Sequence, residues 1–296
     1  MRYIKEFIGS SQQDFLELIV YDKEDEYELH KYLYEKSIFV PVDMLRYLKF
    51  FPNAENLIIS SGMPDENGFE YLYKLPIIAL KISYENDDGD SDWRIDISRF
   101  EKLEYLFSRS QKNCANISKC RSLKTAVIFN WYDGDLSELA GASIDSLSIT
   151  GGKLHSLSGI EKIKGLRALS LSYLPSLTDI SALAQVDNLE YLELDACNKI
   201  IQIPHLGKLE ALIWEGSNRI ESLNPSSLPC IRRILLDINI KNGNLNWLNE
   251  LEHACLLTDK RHYSVRDKLL SKAAAPFKLN GIADYRSICI PLCKQK

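Results

Sequence analysis

Leu166-Arg167-Ala168-Leu169-Ser170-Leu171 and Leu189-Glu190-Tyr191-Leu192-Glu193-Leu194 are two copies of one pattern, L-x-x-L-x-L, set 23 residues apart. The frame extends from them in both directions. Downstream it recurs as Leu209-x-x-Leu212-x-Trp214, Ile231-x-x-Ile234-x-Leu236 and Leu251-x-x-Ala254-x-Leu256. Upstream it recurs as Ile144-x-x-Leu147-x-Ile149, Leu123-x-x-Ala126-x-Ile128, Leu103-x-x-Leu106-x-Ser108, Ile77-x-x-Leu80-x-Ile82 and Ala54-x-x-Leu57-x-Ile59. The ten frame starts, at 54, 77, 103, 123, 144, 166, 189, 209, 231 and 251, are spaced by 20 to 26 residues, a period that marks stacked repeats.

Each L-x-x-L-x-L unit reads as a short strand whose fourth and sixth residues point inward while the third, fifth and seventh point out. One such coil cannot bury its apolar edge alone. Stacked coils make a continuous parallel sheet with one buried face, and the connecting stretches return along the other side. The expected fold is therefore an α/β solenoid, with a curved parallel sheet on its concave face and short helices and loops on its convex face. The returning stretches support it, because Asp96-Ile97-Ser98-Arg99-Phe100, Asp135-Leu136-Ser137-Glu138-Leu139 and Asp179-Ile180-Ser181-Ala182-Leu183 each open with a helix-capping residue.

With these segments the sequence resembles the internalin-like bacterial class of leucine-rich repeats, in which a D-I-s-x-L segment leads into the next strand. The resemblance is best over residues 135–225. It implies a leucine-rich-repeat solenoid that binds a partner on its concave face, and an Asn or Cys at the ninth position bonding the backbone inside the turn. Cys197 and Asn239 keep that residue; Gly62, Glu85, Gln111, Trp131, Gly152, Leu174, Ser217 and Asp259 depart from it, so the outer coils should be irregular.

Residues 1–52 lack the frame and read as an N-terminal cap, 53–259 as the solenoid and 260–296 as a C-terminal cap. Pro41 to Leu48 looks like a helix feeding the first coil, and Val265 to Ala274 like a second short helix before the apolar Ser287-Ile288-Cys289-Ile290-Pro291-Leu292. The acidic run from Glu85 to Asp92 lacks the ligand spacing of a calcium loop and reads as solvated.

A net charge of −5 and a pI near 5.7 argue against a general binder of nucleic acid or anionic membrane, since both need a basic surface. The first eight residues show no signal-peptide pattern, and no apolar run reaches membrane-spanning length. Seven scattered cysteines, an odd number, fit reduced thiols in a cytoplasm. There is no G-x-S-x-G elbow and no phosphate-cradling glycine loop, and Gly151-Gly152 reads as a turn. Cys289-x-x-x-Cys293 and the Cys114/Cys120 pair have no second pair to complete a zinc site. His253 alone of the histidines should face the concave sheet, and no catalytic residue, metal ligand or cofactor is assigned.

The outward positions carry the functional reading. Asp195, Glu215 and Asp237 occupy the seventh position of three successive coils, with Glu193 beside them at the fifth. Parallel strands lie about 4.8 Å apart, so the three carboxylates should form a ladder of like charges, which is destabilising. A use for it is the steering and selection of a basic protein; the plainer reading is neutralisation by Arg233 and nearby lysines. Tyr105, Phe107, Phe129, Tyr173 and Tyr191 fall at outward positions or their edge, either as interface anchors or, for Phe107 and Phe129, as residues covered by the N-terminal cap.

These residues point to a non-catalytic scaffold that recognises a basic protein partner through its concave face, not nucleic acid or membrane. An immunity protein that neutralises a bacterial toxin is one specific form. A repeat-containing effector joined to a ubiquitin-ligase domain is an alternative, though the 37 residues after the last coil are few for one, as is a secreted adhesin.

Overall fold

The structure is a computed structural model that describes residues 2–7, 15–20, 38–41, 45–46, 48–49, 52–60, 66–83, 94–258 and 260–266. The acidic run 85–92, Cys289 and Cys293, the segment 287–292 and most of the 265–274 helix expected from the sequence lie outside them. The described residues divide into two compact units, one reaching Ile128 and one beginning at Phe129.

In the first unit, β1 (Arg2–Phe7) pairs antiparallel with β2 (Phe15–Val20), and β2 with β3 (Ile38–Pro41). From β3 onward the pairing is parallel, through β4 (Asn56–Ser60) and β5 (Ala79–Ile82). A two-residue strand, β6 (Ile95–Asp96), leaves this order; β5 pairs with β7 (Tyr105–Ser108), while β6 pairs with β8 (Cys114–Ala115) on the return side. The start of β9 (Thr125–Trp131) closes the unit against β7. Pro41, where the sequence suggested that a helix begins, is instead the last residue of β3; within that stretch Leu45, Arg46 and Leu48, and Lys49 after it, are in 3-10 turns, and 42–44 and 47 lie outside the described residues. Pro41 has no N–H to give a helix beyond its first turn, and in β3 it sits at the strand end.

The second unit continues from β9 with β10 (Ser146–Gly152), β11 (Ala168–Ser172), β12 (Tyr191–Asp195), β13 (Ala211–Ile220), β14 (Arg233–Ile240) and β15 (His253–Leu256). Its strands follow chain order and its pairs are parallel. The register reproduces the sequence frame residue for residue. Leu147, Leu169, Leu192, Leu212, Ile234 and Ala254 form one row, and Ile149, Leu171, Leu194, Trp214, Leu236 and Leu256 a second. Both rows are buried. At about 1.5–3 kcal/mol per fully buried aliphatic side chain, these rows are the main force holding coil to coil.

The return side is built of 3-10 turns, with one seven-residue α-helix, α1 (Glu66–Leu72), among the described residues. A period of 20 to 23 residues explains this: once strand and turns are placed, few residues remain, and a 3-10 turn rises further per residue than an α-helix. The capping aspartates act as their sequence context requires. Asp96, Asp135 and Asp179 each accept a hydrogen bond from the backbone N–H two residues on, at 3.1, 2.9 and 2.9 Å, and Asn224 does the same for Ser226 at 3.0 Å. The hydrogen bonds from Ser181 hold the Asp179 carboxyl below the usual carboxylate range.

The turn leaving each strand has a recurring shape. The eighth frame position adopts positive φ in four successive coils, at Asn130 (49°), Gly151 (75°), Tyr173 (55°) and Ala196 (53°). That left-handed step swings the ninth residue inward whatever its type, so Trp131, Leu174 and Cys197 are all fully buried. Cys197 Sγ donates to the carbonyls of Leu171 at 3.4 Å and Asp195 at 3.5 Å, as the resemblance implied, and burial pushes its thiol up to about 12. Trp131 fills the same place with its Nε1–H donating to the Asp135 carbonyl at 2.9 Å.

The next two coils depart from expectation. Between the pairs Glu215–Asp237 and Arg219–Asn239 the register of β13 shifts by two residues, a bulge of Gly216, Ser217 and Asn218 against Ile238. The bulge turns Asn218, not Ser217, into the core, where its Nδ2 donates to the carbonyls of Cys197 at 2.8 Å and Ile200 at 2.9 Å. In the following coil β14 stays extended, so Ile238 and Ile240 alternate inward and Asn239 does not take up the turn role.

Candidate functional site

The seventh and eighth positions form a rim along the strand exits of the second unit. Cα pairing sets Ser172 against Asp195, Asp195 against Glu215 and Glu215 against Asp237, so the three carboxylates stand in one column on successive strands. All three are partly exposed. At the strand spacing of about 4.8 Å the three carboxylates concentrate negative charge along one edge of the sheet. At one end of the column stands Tyr173, 63% exposed, its backbone N–H donating to the Asp195 carbonyl at 2.9 Å.

Tyr173 combines exposure with strain. A non-glycine residue in the left-handed region costs about 1–2 kcal/mol, and Tyr173 holds that conformation at φ 55° with most of its ring in solvent. Tyr173→Gly is therefore expected to leave thermal stability unchanged within about 0.5 kcal/mol or to raise it, because relief of strain offsets the added freedom of the unfolded chain. A loss of 2 kcal/mol in urea unfolding would show instead that the ring is structural.

The fifth- and third-position residues are placed differently from what their frame positions suggested. Glu193 and Tyr191 are on the outward side of the sheet yet only 3% and 5% exposed. Glu193 accepts hydrogen bonds from Ser170 Oγ at 3.1 Å and from the Tyr191 hydroxyl at 3.3 Å, and so belongs to an internal polar cluster and not to the solvent-facing rim. Arg233 pairs in register with Ala211 and His253. Four residues of extended strand, about 13 Å, separate it from Asp237, so it stands on a different row from the carboxylates. Phe129 is partly buried at the start of the second unit.

In the first unit Tyr105 and Phe107 are also partly buried, and Lys81 Nζ lies 5.2 Å from the centre of the Phe107 ring on the neighbouring strand. That cation–π contact uses one face of the ring within the protein. These two residues are not part of the column described above.

The sequence frame also holds a charged row, at the second position. Arg167 and Glu190 form a two-pronged ion pair, 3.0 Å from Nε to Oε1 and 2.6 Å from Nη2 to Oε2, which raises the Arg167 guanidinium further above its ordinary value. Lys124 and Glu104 meet at 2.8 Å in the first unit, and Arg232 and Glu252 at 3.8 Å in the second. Opposite charges exactly one coil apart in the sequence were the available signal. This row ties neighbouring coils and offers no like-charged patch.

Among the described residues no group of three or more His, Cys, Asp or Glu side chains is placed to hold a metal ion. No described helix is long and apolar enough to cross a membrane.

No protein-family model matches the chain, and no curated protein matches its sequence. Among solved structures, the crystal structure of an internalin from Listeria monocytogenes is similar to it, with a TM-score of 0.50 and 18% identity over 77% of this chain and 76% of that one. Together with the register of the two leucine rows, this likeness makes the fold a leucine-rich-repeat solenoid, with a long parallel sheet that does not close on itself.

Proposed function

We propose that this chain is a non-catalytic scaffold that binds a basic protein along the rim formed by Tyr173, Asp195, Glu215 and Asp237. The observation that carries the reading is the in-register column of carboxylates, three acids on successive strands at partly exposed positions. Tyr173 supports it, being an exposed aromatic in a strained conformation at the end of the same column. A cationic surface would be complementary to the acidic column, and the aromatic ring would supply a rigid anchor.

In its specific form the proposal makes the chain a bacterial immunity protein acting in the cytoplasm, its partner a basic toxin that acts on nucleic acid. The buried thiols of Cys120 and Cys197 support a reducing location.

The test is capture of partners from source-cell lysate at low salt by the wild type and by Asp195→Lys/Glu215→Lys/Asp237→Lys, with circular dichroism to establish that both are folded. The wild type should retain a basic protein that the triple variant releases, with affinity lowered at least about 100-fold, as for loss of several close charge pairs. If that protein is toxic to cells and the wild type suppresses the toxicity, the immunity reading stands. Equal capture by both proteins would remove the rim from the account.

A further inference from the structure

The acidic column has an apolar side chain at each end. Leu236 pairs with Leu256, which sets Leu257 beside Asp237 one coil further on, its N–H donating to the Leu236 carbonyl at 3.0 Å. Leu257 is 54% exposed, and Tyr173, beyond the opposite end of the column, is more exposed still. Three large hydrophobic side chains stand exposed among the described residues, and two of them, Tyr173 and Leu257, bracket the carboxylates; the third is Ile201. Along the strand exits the order is therefore apolar, three acids, apolar. Ser172, which precedes Tyr173, is in register with Asp195, so the row from Ser172 to Leu257 spans four strand steps, about 19 Å.

We infer that the basic partner meets this rim with one amphipathic α-helix laid across the strands, its cations facing Asp195, Glu215 and Asp237 on successive turns and an apolar side chain at either end against Tyr173 and Leu257. The inference rests on the proposed function and names the form that its partner takes.

The spacing favours a helix over an extended segment. On one helix face, positions i, i+3, i+7, i+10 and i+14 fall at about 0, 4.5, 10.5, 15 and 21 Å along the axis. The rim positions fall at about 0, 5, 10, 14 and 19 Å, so all five stay within about 2 Å of step. An extended strand presents same-side residues about 6.7 Å apart, and over the same length it would bring four side chains to five rim positions. Its third cation, counted from Asp195, would overshoot Asp237 by roughly 4 Å. The chain's own net charge of −5 disfavours a second copy as the occupant.

Peptide binding to the full chain, read by fluorescence anisotropy at low salt, tests the geometry. One probe is an alanine-rich peptide of roughly 15 residues with leucines at i and i+14 and arginines at i+3, i+7 and i+10. The other has the same composition with its arginines at i+3, i+5 and i+7, the spacing of an extended strand. The first should bind at least about 10-fold more tightly than the second and gain helical circular dichroism in the complex. Leu257→Ser should weaken it by about 5-fold, a change that attraction between charges alone would not produce. Equal affinity for the two peptides, or binding without a gain of helix, would overturn the inference and leave the rim as a site for a basic protein. Undiminished binding of the first peptide to Asp195→Lys/Glu215→Lys/Asp237→Lys would place it elsewhere on the chain and overturn the inference too. Binding of neither peptide, while the capture experiment still yields a basic protein that the triple variant releases, would overturn it equally. Failure of the capture experiment is the separate failure of the rim itself.

Discussion

Replacing Gly152 with alanine is expected to remove roughly 3 kcal/mol or more of folding stability, because it adds a left-handed non-glycine residue and a backbone collision together. Gly152 has φ 108°, and a Cβ there would fall inside the van der Waals surface of the Trp131 carbonyl, with the Trp131 nitrogen only 2.5 Å away. Those are backbone atoms of the preceding coil, whose carbonyl also accepts the Lys153 N–H at 2.6 Å, so they cannot yield without unstacking the two coils. Gly141 provides the control: its φ is 89° and nothing lies within 4 Å of a Cβ built on it. Gly141→Ala should therefore cost only the conformational part, about 1 kcal/mol. Urea unfolding of the two variants separates the terms, and a Gly152→Ala loss no larger than that of Gly141→Ala would mean the coils do not approach as closely as described.

Asn218→Ala is expected to cost about 2–4 kcal/mol, for it strips two buried carbonyls, those of Cys197 and Ile200, of their donor. The neighbouring change, Ser217→Ala, should fall within about 0.5 kcal/mol of the wild type because Ser217 is exposed. The pair of variants distinguishes the bulged turn from a regular coil: a frame without the bulge would bury residue 217 and reverse the order of the two effects.

That reversal shows where sequence reasoning succeeds and where it stops. The fourth and sixth positions of every coil could be read because burial imposes apolar side chains at a fixed spacing, and the register confirmed them row by row. The caps at Asp96, Asp135 and Asp179 could be read for a similar local reason, a short acceptor two residues before the N–H it satisfies. The bulge at Gly216 to Asn218 could not, because two inserted residues leave the spacing between coils at 209 and 231 ordinary. Asn239 was misplaced for the same cause: its frame position is right, but β14 continues as strand past the place where its neighbours turn.

The rim was legible in part. Asp195, Glu215 and Asp237 stand in the column that the frame implied, since register follows directly from repeat spacing. Glu193 and Tyr191 were assigned to the outside by the same alternation and do lie on that side, yet they are buried. Alternation tells which way a side chain points; it does not tell what lies over it. The strain at Tyr173 was likewise hidden, because only the backbone conformation of four successive turns reveals that an aromatic occupies a position otherwise given to Asn, Gly and Ala.

The most direct test of rim recognition is the affinity of the purified partner for the wild type and for Asp195→Lys/Glu215→Lys/Asp237→Lys, measured by calorimetry between 50 and 200 mM salt. The expected result is a wild-type affinity that falls steeply across that range, and a triple variant that binds weakly with little dependence on salt. Parallel curves for the two proteins would contradict the account, for the carboxylate column would then contribute nothing to recognition.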